Sequence, residues 1–110
     1  MILFAIALGT AAAPPGALPP YEVSIRCAGL AEAEVRRREI QKLPTSREFD
    51  VAIFWGMAAS ESARKSRLPA ARFTKDQEAA TARASQDLGA DSNGAAAELA
   101  NCISQTPAAE

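Results

Sequence analysis

From Tyr21 onward, apolar and polar positions alternate with helical rather than strand periodicity. Between Tyr21 and Leu43 there is no proline, and Val23, Cys27, Leu30, Ala33, Ile40 and Leu43 fall on one broad side of a helical wheel. That pattern predicts a first helix ended by Pro44. Thr45 to Glu48 then reads as a capping box, a hydroxyl at the cap with a carboxylate three residues on, opening a second helix to about Arg67. The middle of this helix, Val51 to Ala59, is apolar on every side, so it is expected at the centre of the fold with Trp55 anchoring the core. Leu68 to Phe73 predicts a connecting loop, and Thr74 to Gln77 a second capping box. The third helix would run to about Leu88 with an inner stripe of Gln77, Ala80, Ala84 and Leu88. A turn cluster from Gly89 to Gly94 precedes a fourth helix, to about Gln105, with Ala95, Leu99, Cys102 and Ile103 on one face. Short connections make successive helices antiparallel. The expected fold is all-α, a small four-helix up-down-up-down bundle over residues 21–106.

The first twenty residues follow a different pattern. Met1 to Leu8 is an uncharged apolar run followed by small residues, the arrangement of a secretory signal peptide over residues 1–12. It is too short to span a bilayer, which takes about 20 apolar residues. Residues 13–20 carry four prolines and form a stiff, extended N-terminal tail. The expected localisation is therefore periplasmic or secreted.

Composition narrows the chemistry. Of 110 residues, 48% are hydrophobic, but 26 are alanine, which favours helix and buries little area. The core must rest on few large side chains. Twelve basic residues against thirteen acidic ones leave no concentrated positive field for nucleic acid. Histidine is absent, which removes the commonest general base and the usual metal ligand. Ser62 and Lys65 spell Ser-x-x-Lys, but the companion motifs Ser-Asp-Asn and Lys-Thr-Gly are missing. No cofactor site is expected and the chain does not read as an enzyme.

The two cysteines complete the picture. Cys27 lies near the start of the first helix and Cys102 near the end of the fourth, and an up-down-up-down topology brings those points to the same end. With an export leader, they are expected to form one disulfide joining first and last helices.

Candidate functional features are sparse. Glu32–Arg36 and Glu34–Arg38 are i,i+4 pairs suited to a solvated face, while Arg37 projects onto the apolar stripe, where it would snorkel or pair with a carboxylate such as Asp50. Phe54 and Met57 are expected to be covered by a neighbouring helix; left uncovered, they would offer an apolar strip to a partner. Arg64, Arg67 and Arg72 belong to a basic segment, residues 61–75, that suits an anionic partner or membrane surface. The sequence thus reads as an exported, non-enzymatic binding or structural partner of another protein in the cell envelope. The alternative is a small acid-stress chaperone, since such periplasmic proteins are similar in size and ingredients.

Overall fold

In the computed structural model, which describes residues 18–90 and 94–107, the chain forms α1 (Tyr21–Ile40), α2 (Ser46–Lys65), α3 (Ala70–Ala90) and α4 (Ala95–Ser104). No strand occurs among the described residues. The helices pack against one another and Cys27 is disulfide-bonded to Cys102, so the all-α fold with first and last helices clamped together is what the chain adopts. The leader and most of the proline-rich tail lie outside the described residues.

The packing has a different centre from the one expected. α2 and α3 each lie along α1, while they scarcely touch one another, and the ten-residue α4 closes one side. α1 is buried nearly all round from Cys27 to Val35, and α2 buries one face: Glu48, Val51, Trp55, Ala58, Ala59 and Ala63. Small side chains explain the exchange of roles. Ala28, Gly29, Ala31 and Ala33 let neighbouring helices approach α1 closely, and a Cβ on Gly29 would stand 2.7 Å from the backbone carbonyl of Ala80 in α3. The larger core side chains, Leu30, Val51, Trp55 and Leu99, cluster on the side of α1 that α2 and α4 cover. Val23, Ile40 and Leu43, expected on the inner stripe, are exposed: Ile40 and Leu43 lie beyond Val35, where cover along α1 ends, and at the other end Ser24 rather than Val23 turns inward.

Both α1 and α2 end in the same way. Lys42 N–H donates to Glu39 and Leu43 N–H to Arg38; Arg67 N–H donates to Arg64 and Leu68 N–H to Ala63. These are Schellman motifs, with Lys42 (φ 60°) and Arg67 (φ 59°) in the left-handed position that usually takes glycine. Each is followed by Leu-Pro, and the proline stops the helix.

Starts of helices depart from the sequence pattern. Thr45 is the N-cap of α2, but its side chain makes no capping hydrogen bond. Glu48 is drawn instead toward Arg38, 3.5 Å away on α1. α3 begins at Ala70, so the expected loop of residues 68–73 is mostly helix. Phe73 N–H donates to Pro69 O, and Thr74 stands a turn inside the helix rather than at its cap. Proline suits this entry: its φ is preset and a helix start has no use for its missing N–H. α3 also continues through Gly89 and Ala90, which the turn cluster had been expected to claim. Gly94 adopts a left-handed φ of 65° at the head of α4.

Candidate functional site

Three structures could carry function: a clamped core at α4, an ion-paired junction, and the surfaces that α1 and α2 leave open. At the core, Trp55 from α2 is 1% exposed. Its Nε1–H is shared between Cys102 O, 3.1 Å away, and Thr106 Oγ1, 3.0 Å away, while the Thr106 hydroxyl donates to Cys102 O. Phe54 stacks edge-on against Trp55 with centroids 5.1 Å apart. Disulfide and indole therefore converge on one residue of α4, and both are consumed in holding that helix.

A polar junction ties α1, α3 and α4. Arg26 grips Glu98 in a two-pronged pair, at 3.0 and 2.9 Å, and reaches Asp87 at 3.1 Å. Hydrogen bonding to Glu98 raises the Arg26 pKa, against the opposing effect of burial. Arg83 adds a second cation 3.7 Å from the buried Asp87. Near the opposite end of α1, Arg38 bonds Glu34, lies close to Glu48 and donates to Pro44 O. Glu34 is thus buried, not on a solvated face, whereas Glu32–Arg36 is the exposed i,i+4 pair expected. Arg37 also turns to Glu34, at 3.0 Å, rather than to Asp50. At the start of α1, Tyr21 tilts against Phe73 and donates to Asp76 at 2.9 Å; burial first, and this bond second, push its phenol up to about 12. The Arg26, Arg38 and Tyr21 contacts tie helices together, and among the described residues no cluster of three metal-ligating side chains occurs.

The surfaces are less committed. Because α2 and α3 scarcely meet, an open groove of about 650 Å³ runs over α1 between them. Its floor includes Ala28 and Gly29, and its walls include Ala52 and Gly56 of α2 and Thr81 and Gln86 of α3. A side chain added at Gly56 would meet nothing within 4 Å, so that wall is open to an incoming group.

On the outer side of α2, Phe49 (54% exposed), Ile53 (44%) and Met57 (68%) recur every four residues as one apolar strip. Of the pair expected to be covered, Phe54 is partly buried against the core and Met57 stands in solvent. The neighbours of Met57 in the strip are therefore Phe49 and Ile53, not Phe54. The arginines of the basic segment separate as well. Arg64 is paired with Glu61, which it holds below the usual carboxylate range, and Arg72 pairs with Asp76 at 3.2 Å. Arg67 occupies the left-handed turn after α2, exposed and without an ion pair among the described residues. Ser62 is partly buried and Lys65 exposed at the last turn of α2.

Sequence reasoning found the cysteine pair and Trp55 but missed the groove and Arg26. The groove depends on which helices fail to touch, and no single residue signals that. Arg26 sits next to Cys27, and its partners lie 61 and 72 residues away. No protein-family model, curated protein or solved structure matches the chain.

Proposed function

We propose that this is an exported, non-enzymatic binding module whose partner is another protein of the cell envelope, taken up as a helix in the groove over α1. The observation that carries this reading is that α2 and α3 flank α1 without closing over it. Ala52 and Gly56 keep the α2 wall low enough for a partner helix to approach, and amides and hydroxyls on the α3 wall can satisfy its polar groups, the ingredients of helix-in-groove recognition. The apolar leader and the clamped cysteines support export, since oxidising compartments make and keep such bonds. A photo-crosslinking residue at position 56, in the native envelope, is expected to give one discrete protein adduct, and Gly56→Trp is expected to abolish partner capture. Adducts of the same number and intensity from position 104, on α4, would refute the groove as the site.

The acid-stress reading has its own support. Glu34, Glu48 and Asp87 are buried beside arginines at helix junctions. Loss of these junction pairs would loosen the bundle and uncover Phe54 and the core it packs against. Apolar-dye fluorescence should then rise between pH 7 and pH 2 on acidification, and a flat response would dispose of this reading.

A further inference from the structure

The outer side of α2 adjoins the groove, since Ala52 and Gly56 of the groove wall lie one helical turn from Phe49 and Ile53. It combines two features: the apolar strip Phe49–Ile53–Met57, and unpaired cations beyond both its ends. Lys42 and Arg47 stand at the start of α2, Lys65 and Arg67 at its end, all exposed and none in an ion pair among the described residues. Exposed Ile40 and Leu43 extend the apolar surface on the α1 side of Lys42. The acids on this side are few. Glu48 is buried toward Arg38 and Glu61 is matched by Arg64, leaving Asp50 on α2 and Glu39 beside Ile40 as exposed carboxylates. From Lys42 to Lys75 the chain holds seven basic residues against three acidic ones, whereas the rest holds five against ten.

We infer that this face docks on an anionic lipid bilayer, with Phe49, Ile53 and Met57 entering the headgroup region and Lys42, Arg47, Lys65 and Arg67 meeting lipid phosphates. A helix with apolar residues on one side and cations beside them lies in the plane of the interface, and anionic lipid supplies the complementary charge. No described helix is long and apolar enough to cross a membrane, so the contact is peripheral. A second copy of the chain is a poorer occupant. Even with Ile40 and Leu43 added, these partly exposed side chains make a patch of a few hundred Å², within the range of ordinary monomer surfaces and short of the roughly 800 Å² per partner of a standard interface. The two turns point the same way. Lys42 and Arg67 hold positive φ where glycine would be less strained, at positions flanking the strip on either side.

The test is vesicle flotation of purified, disulfide-bonded protein, with its N-terminus defined by mass. Vesicles of phosphatidylglycerol with phosphatidylcholine are compared with phosphatidylcholine alone. Binding is expected only to the anionic vesicles and is expected to fall as salt rises. Met57→Asp should remove it. In a Lys42→Gly/Arg67→Gly protein the partition should fall about 30-fold, about fivefold per charge. That variant should nevertheless melt higher, which separates lost docking from lost folding. Failure of the parent protein to bind anionic vesicles at low salt would overturn the proposal, as would equal binding by the double variant. So would a stable dimer in which Ile53 is protected. These results read binding to lipid, whereas the groove is tested by protein adducts from position 56.

Discussion

Replacing Gly29 with alanine is expected to destabilise the protein by about 2 kcal/mol, even though alanine is the better helix former. Gly29 sits in the middle of α1, and a Cβ there would lie 2.7 Å from both the carbonyl carbon and oxygen of Ala80 and 3.0 Å from its Cβ. Ordinary contact between carbon atoms is about 3.5–4.0 Å, so α3 would have to withdraw by roughly 1 Å. Backbone atoms cannot rotate aside, which puts the packing cost near the top of the roughly 1–3 kcal/mol range for overpacking. Helix propensity returns about 1 kcal/mol of that. The control is Gly56→Ala, at a helical site where an added Cβ meets nothing within 4 Å. There only the propensity acts, and stability should rise by about 1 kcal/mol. Thermal denaturation followed by circular dichroism, disulfide intact, should show Gly29→Ala melting about 10 °C lower and Gly56→Ala about 5 °C higher than the parent. Adding Ala80→Gly should give little rescue, because the closest atoms belong to the Ala80 backbone. A Gly29→Ala protein as stable as the parent would refute the close approach of α1 and α3, and with it the central position of α1.

Other consequences are equally open to measurement. Cys27→Ala/Cys102→Ala removes a crosslink between residues 75 apart and should cost about 4.5 kcal/mol, read as a lowered denaturant midpoint. An unchanged midpoint would mean that α4 is held by Trp55 and Arg26 alone. Arg67→Gly relieves a left-handed residue and should raise stability by about 1 kcal/mol in chemical denaturation, whereas Arg67→Ala should not. Tyr21 is the only tyrosine, so its ionisation can be followed directly by near-ultraviolet absorbance, with a midpoint expected near pH 12. Its folded pKa is raised from 10.0, so its share of stability is complete below pH 10 and is lost as pH rises through about 12; Tyr21→Phe should flatten that part of the stability profile.

The elements of this fold were legible in the sequence because proline and periodicity mark them. Pro44 and Pro69 each stand two residues beyond a basic residue in the left-handed turn, and the helical faces carrying Cys27 and Leu30, and Leu99 and Cys102, with Trp55 in the apolar middle of α2, identified side chains that meet. Capping boxes were poorer guides. A side-chain cap contributes only about 1 kcal/mol, and it yields when a carboxylate such as Glu48 finds an arginine on another helix, or when Pro69 supplies an earlier start. Hydrophobicity misplaced the centre for a related reason. Counting apolar atoms favours Val51 to Ala59, but helices crowd most closely around a helix rich in small side chains, and Ala28, Gly29, Ala31 and Ala33 supply them.

The same physics explains why the candidate surfaces were harder to read than the core. A buried position is constrained from several sides, so its residue type carries information: Trp55 needs acceptors for its indole N–H, and Cys102 needs Cys27. An exposed position is constrained from one side at most, and Met57 could equally have belonged to a buried face until the path of α2 was fixed. Once it is fixed, exposure itself becomes informative, because burying Phe49, Ile53 and Met57 against a fourth long helix would have been the simplest way to stabilise an alanine-rich bundle. The chain spends its fourth helix elsewhere, on ten residues tied down by a disulfide, an indole and a two-pronged arginine pair. Those ties hold α4 without help from a large apolar face and leave the outer side of α2 and the groove over α1 free. The proposed binding role rests on that pairing of a clamped core with two open faces.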